Sequence, residues 1–293
     1  MTEYNFNAVE KKDEIVAWIK EFFKTTKGEY AIVGISGGKD SSIVAALCAE
    51  ALGADKVIGC LLPSNIDGSG FGIKNDQLEN AISTALTGNM SCFIDFNLFE
   101  SQLENISAFM TGVKLCKYLG IKYFCRDIAP VINECCNCVP VDVAMQFTKQ
   151  MKINLPARIR MTLLYAAAQT YKNGRVANTS NLSEDWVGYA TRWGDSVGDF
   201  APIANFTVTE VKQIGKALQL PKEFINRIPA DGLSGKTDEE NFGFSYDVLD
   251  RYIRFGEIND RFAKESIDVR HKMNKFKMEP IASFKSNLPI AIA

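Results

Sequence analysis

The densest group of reactive side chains in the sequence is Ser36-Gly37-Gly38-Lys39-Asp40-Ser41-Ser42, directly after the apolar run Tyr30 to Ile35. Adjacent glycines let successive backbone N–H groups converge on one point, and a helix starting there aims its positive end at the same place. The string therefore reads as an anion cradle, with Lys39 adding a cation and Asp40 a hard oxygen donor of the kind Mg²⁺ prefers. It is neither a Walker A loop nor a dinucleotide fingerprint, because G-x-x-x-x-G-K-[ST] and G-x-G-x-x-G are both absent. A plain turn whose Ser or Asp caps the next helix is the structural alternative, and the crowding of polar groups argues against it. Gly34 to Gly38 also spells G-x-S-x-G, so Ser36 as a hydrolase nucleophile with His271, the only histidine, is a competing reading. That chemistry leaves Lys39 and Asp40 without a role, and an S-x-x-K reading of Ser36 to Lys39 lacks its partner motifs.

The elements that must position this loop follow from periodicity. Residues 8 to 24 carry apolar side chains at helical spacing, Tyr30 to Ile35 and Lys56 to Leu62 read as buried strands, and Ile43 to Leu52 as the helix between them. Continuous apolar strands with an intervening helix indicate parallel βαβ units. After a Gly/Ser/Asp-rich stretch from Ser64 come a helix at Thr111 to Leu119, a strand at Ile121 to Cys125, a helix at Leu155 to Tyr171 and a short strand at Arg175 to Thr179. Helices are further predicted over Asn181 to Tyr189, Thr209 to Leu218 and Tyr246 to Phe255, with a polar loop at Asp231 to Asp238. The alternation predicts an α/β, doubly wound, Rossmann-like parallel sheet with helices on both faces and a ligand crevice beyond the carboxyl ends of the strands.

Composition narrows the function classes. The 293 residues are 46% hydrophobic and 23% charged with a net charge of −2, an ordinary globular balance without the basic excess of nucleic-acid binders. No apolar run reaches the roughly 20 residues that span a bilayer, and MTEYNFNAVEKKDE has no signal-peptide pattern, so a cytoplasmic protein is expected. Most of the eight cysteines sit singly in apolar stretches. Cys135, Cys136 and Cys138 form a cluster that lacks paired zinc spacings, which favours plain thiols over a metal site.

The seven-residue loop resembles that of the ATP pyrophosphatases, and over almost its whole length the chain resembles the ammonia-dependent NAD synthetases. The resemblance rests on SGGKDSS (36 to 42), ARIRMTLLY (157 to 165), NTSNLSED (178 to 185), GYATRWGDSVGDFAPI (188 to 203), KTDEE (236 to 240), SYDVLD (245 to 250) and HK (271 to 272), in the family's order. It implies one adenine nucleotide alpha hydrolase-like synthetase domain over 1 to 293, without a glutaminase domain and with an insertion at about 64 to 109. The implied reaction activates the nicotinate carboxylate of deamido-NAD with ATP, then amidates it with free ammonia to give NAD, AMP and pyrophosphate. By the same resemblance Gly34, Ile35, Ser36, Gly37, Gly38, Lys39, Asp40, Ser41 and Thr179 hold ATP. Asp40 and Glu184 hold Mg²⁺ and, with Lys39, are the expected catalytic groups. Arg158, Arg192, Asp199, His271 and Lys272 are the expected deamido-NAD contacts, in a homodimer with no nucleic-acid or membrane partner.

The chain also departs from the family pattern. Arg192 replaces a usual Lys, Val208 an ATP-contacting Lys, Ala230 a Thr, Leu182 a Lys, Lys236 a Gln, and Asn178 and Ser180 two glycines. Two other readings stay open on the residues alone: an adenylating transferase acting on another acid or a tRNA base, and a nucleotide-binding relative with reduced activity.

Overall fold

The computed structural model describes residues 4–64, 96–139, 148–226 and 237–284. Four parallel strands form its sheet: β1 (Tyr30–Gly34), β2 (Val57–Leu61), β3 (Lys122–Cys125) and β4 (Gly174–Ala177), in the order β3-β2-β1-β4. Ile32 is in register with Ile58 on one side and Val176 on the other. The order reverses between β1 and β4, so the loops leaving these two strands flank the crevice of a doubly wound sheet.

Side chains alternate strictly across the sheet. Ala31, Val33, Val57 and Leu61 face α1 (Ala8–Thr25), α2 (Lys39–Leu52), α3 (Phe96–Leu119), α7 (Val208–Ala217) and α8 (Lys222–Ile225). Ile32, Ile58, Cys60 and Val176 face the other way, toward α4 (Ala129–Cys138) and α5 (Lys149–Thr170). Both faces are thus dry over β1 and β2, as their continuous apolar runs required, while the edge strand β3 is half-exposed. A further apolar cluster joins α6 (Leu182–Trp186), α9 (Asp238–Phe242), α10 (Tyr246–Phe255) and α11 (Arg261–Asn274) through Val187, Phe242, Leu249 and Ile267. This last layer lies beyond the sheet and covers α6.

Several boundaries differ from the sequence expectation, each for a local reason. α2 begins at Lys39 rather than Ile43, because Ser41 and Ser42 donate their hydroxyls to the Gly38 carbonyl and the polar motif itself forms the first turn. α5 starts before Leu155, with Thr148 as its N-cap and Pro156 inside it. The strand expected to Thr179 stops at Ala177 and the helix expected to Tyr189 stops at Trp186. Asp238, assigned to a loop, is the first residue of α9, where Thr237 and Glu240 form a capping box. α4 and α11 had no predicted counterpart, and α3 extends far N-terminal to Thr111. Among the described residues no helix is long and apolar enough to cross a membrane.

The cysteine trio lies on α4, with Cys135 and Cys136 half-buried and Cys138 exposed, and no group of three potential ligands among the described residues is placed to hold a metal. Burial pushes the thiols of Cys48, Cys60 and Cys116 up to about 12, leaving them protonated and unreactive at neutral pH. Thiol labelling of the native protein at pH 8, read by peptide mass, is therefore expected at Cys135, Cys136 and Cys138 and absent at the three buried positions until denaturant is added. Fast native labelling at Cys48 or Cys60 would contradict the packing.

Candidate functional site

The loop after β1 is shaped by one glycine. Gly37 has φ +79°, and a Cβ on it would lie 1.9 Å from the Ala108 carbonyl of α3, so only glycine fits both the turn and the close approach. The serines brace the loop from inside: the Ser36 and Ser41 hydroxyls are 3.1 Å apart, and Ser36 Oγ accepts from Gly38 N–H at 3.2 Å. The nucleophile reading of Ser36 loses its partner here. His271 stacks on Trp186 with ring centroids 4.2 Å apart, and its Nδ1 donates to the Trp186 carbonyl at 2.8 Å.

At the head of α2, Lys39 turns inward, and its side chain is only 1% exposed. Its Nζ lies 2.7 Å from Asp40 Oδ2 and 3.7 Å from Glu184 Oε1. Glu184 arrives from the loop after β4, where Asn181 caps α6 by accepting from Glu184 N–H at 3.0 Å. The Tyr246 ring lies 5.7 Å from the same ammonium, and its hydroxyl donates to Asp238 Oδ2 at 3.0 Å. Loops from both sides of the topological switch and two C-terminal helices therefore converge on one buried cation.

The electrostatics follow from this packing. Burial alone would drive the Lys39 ammonium toward neutrality, but Asp40, Glu184 and Asp238 outweigh it and hold its pKa above the ordinary lysine value. Glu184 is shifted upward, first by burial and next by the Asp40 charge, with Lys39 opposing. Asp40 Oδ1 is buried with no hydrogen-bond partner among the described residues, which leaves a hard oxygen free for a cation. Two carboxylates beside a phosphate cradle suit Mg²⁺, which commonly takes one or two protein carboxylates and completes its shell with substrate phosphates and water.

The expected dinucleotide residues fall in several places. Arg158 on α5 and Arg192 line a cleft of about 370 Å³ with Asn154, Trp193, Phe276 and Lys277. Arg158 Nε approaches the Arg192 carbonyl at 3.4 Å, and the Arg192 guanidinium lies 4.9 Å from the Trp193 ring and 5.4 Å from the Phe276 ring. Lys277 ties the chain end to this cleft by donating to the Gly188 and Ala190 carbonyls at 2.8 and 3.2 Å. Asp199 lies elsewhere, at the edge of β4, where it accepts from Val176 N–H at 2.8 Å and from the Tyr165 hydroxyl at 3.3 Å. Lys272 is exposed in the last turn of α11, and Thr179 stands half-buried just past β4. Val208 is packed in the apolar cluster with Phe242 and Tyr246. Ala230 and Lys236 lie outside the described residues.

Asp238, Tyr246, Phe276 and Lys277 were not assigned roles from the sequence. Asp238 and Tyr246 lie in KTDEE and SYDVLD, motifs whose recurrence was the available signal. Nothing in MNKFK marks Phe276 and Lys277.

The family model for NAD synthase matches residues 11–84 and 98–288. The chain belongs to the NAD synthase family. It is accordingly an enzyme of the ligase class. The NH(3)-dependent NAD(+) synthetase of Thermococcus sibiricus is 32% identical over 94% of each chain, and that of Methanocaldococcus jannaschii is 36% identical over 84% of this chain and 80% of the relative. Among solved structures, NMN synthetase from Francisella tularensis superposes with a TM-score of 0.73 at 25% identity, covering 97% of this chain and 100% of that one. An NH3-dependent NAD synthetase from Campylobacter jejuni, 23% identical with a TM-score of 0.66 over 96% of this chain and 100% of that one, shares the fold. Of the stretch expected to be inserted, 64 to 109, the family model matches 64–84 and 98–109 and leaves out 85–97; residues 65–95 lie outside the described residues.

Gly37→Ala is expected to lower kcat/KM by about a hundredfold or more by displacing the cradle from α3. Asp40→Asn and Glu184→Gln are expected to remove metal-dependent pyrophosphate release while keeping a cooperative thermal transition. Full activity in either carboxylate variant would contradict the assignment.

Proposed function

We propose that the chain converts deamido-NAD, ATP and free ammonia into NAD, AMP and pyrophosphate. The observation that carries this reading is the convergence of the β1 cradle, Asp40 and Glu184 on one buried point at the switch of a sheet whose family is NAD synthase. In the first half, the nicotinate carboxylate oxygen bonds to the α-phosphorus as the bond to the β-phosphate oxygen breaks and pyrophosphate leaves. The Gly37 N–H and the positive N-terminal end of α2 would hold the departing phosphates in a loop that Ser36 and Ser41 brace, which fixes the line of attack. Mg²⁺, held by Asp40 and Glu184, would neutralise charge on the triphosphate. In the second half, the nitrogen of ammonia bonds to the activated carbonyl carbon, AMP departs with the original carboxylate oxygen, and the surplus proton passes to solvent.

Arg158 and Arg192 line the cleft we assign to the phosphates and ribose of the acid substrate. Arg192 is held there by its two aromatic neighbours and by donation to the Glu279 carbonyl at 3.2 Å. The bond of Asp199 to the β4 edge gives it a role in supporting that side of the site. A homodimer is part of the same reading. α5 leaves the apolar side chains of Met151, Ile153, Leu155 and Met161 half-exposed, a surface open to packing against a second copy. A second acid substrate merits direct comparison, because the Francisella tularensis neighbour is an NMN synthetase: the shorter nicotinate mononucleotide presents the same carboxylate.

The test is one incubation with ATP, Mg²⁺, ammonium and either acid, following amide, AMP and pyrophosphate together. Equimolar formation of all three, dependent on deamido-NAD, is expected, and a larger kcat/KM with the mononucleotide would move the assignment to the shorter acid. Pyrophosphate without amide, or neither product with either acid, would overturn the reading.

A further inference from the structure

The proposed chemistry gives the two carboxylates a role and leaves the buried lysine between them without one. Lys39 is the cation nearest to both, at 2.7 and 3.7 Å, and its long stem is enclosed, so the ammonium cannot swing out to solvent. Asp40 uses only Oδ2 for this contact, and its Oδ1 is buried without a partner among the described residues. The Tyr246 ring flanks the ammonium on another side. Two carboxylates this close to one point repel each other unless a cation is present, and Lys39 is the cation in contact with both.

We infer that Lys39 is a resident counter-cation that competes with the metal for the Asp40 and Glu184 carboxylates and opposes its binding until the nucleotide arrives. This rests on the reading that these two carboxylates bind the metal. A doubly charged ion entering beside a fixed ammonium meets repulsion as well as attraction, so the protein alone binds metal weakly. The triphosphate brings the missing negative charge, so the metal enters with the nucleotide. Lys39 thus sets the order of loading: a metal site complete only when ATP is present.

The experiment measures Mn²⁺ binding to the full-length protein by the disappearance of free-ion electron paramagnetic resonance, without nucleotide and with a non-hydrolysable ATP analogue. Replacing the lysine with a neutral side chain, Lys39→Met, is expected to tighten nucleotide-free Mn²⁺ binding by roughly tenfold or more, since a unit positive charge in contact with both carboxylates is removed. It is also expected to shrink the gain that the analogue gives the native protein. Unchanged or weaker Mn²⁺ binding in a folded Lys39→Met protein would overturn the inference. Glu184→Gln separates the two levels. Loss of Mn²⁺ binding there, with no tightening in Lys39→Met, sinks only the counter-cation role, whereas native-like binding in Glu184→Gln sinks the metal assignment beneath it. If Lys39→Met does not fold, the native protein with ¹⁵Nζ-labelled lysine supplies the reading. The slowly exchanging ammonium signal of the enclosed Lys39 is expected to shift on adding Mg²⁺ with the analogue, and a signal that does not move would overturn the inference.

Discussion

The structure is organised around one buried ammonium. Removing a charge from water costs several kcal/mol, an expense that only close opposite charges offset. Lys39 meets this demand with Asp40, its neighbour in sequence, and with Glu184, which is far away in the chain. Such a pairing is available only if the loops after β1 and β4 lie side by side. The strand order β3-β2-β1-β4 places them so. The sheet topology and the charge arrangement are therefore two descriptions of one constraint.

The surrounding elements hold that point in place. Gly37 brings the cradle against the backbone of α3, and Asn181 turns the chain from β4 into α6 so that Glu184 faces inward. Ser183 donates to Asp250 at 2.5 Å and accepts from Val208 N–H at 3.0 Å, which ties α6 to both α7 and α10. The C-terminal layer then closes the far side with Tyr246 and Asp238, and the segment after α11 reaches back through Lys277 to the loop that carries Arg192. Val208 packs inside the apolar cluster beside Phe242 and Tyr246, so α7 starts with a buried side chain.

Much of this was legible in the sequence because local rules carried it. The parallel sheet followed from continuous apolar runs, and the cradle from adjacent glycines at the end of a strand. The inward turn of Lys39 was not legible, because the same lysine at the start of a helix is usually solvated and only the tertiary fold brings Glu184 to it. α11 was missed for a related reason: RFAKESIDVRHKMN is mostly polar, and its buried Ala263 and Ile267 make too narrow a stripe to stand out. The contacts of Asp199 with Val176 N–H and the Tyr165 hydroxyl were not legible either, because they join residues 23 and 34 positions apart in the chain. Phe276 and Lys277 belong to the cleft only through long-range contacts that no local spacing encodes.

The central claim is that this site joins a carboxylate to AMP before nitrogen attacks. The most direct measurement uses deamido-NAD carrying ¹⁸O in its nicotinate carboxylate and follows the label by mass spectrometry after turnover with ATP, Mg²⁺ and ammonium. Transfer of one ¹⁸O to AMP is the predicted result, because the oxygen that attacks the α-phosphorus leaves with it. Unlabelled AMP formed alongside amide would show that ATP is cleaved without carboxylate activation and would contradict the account.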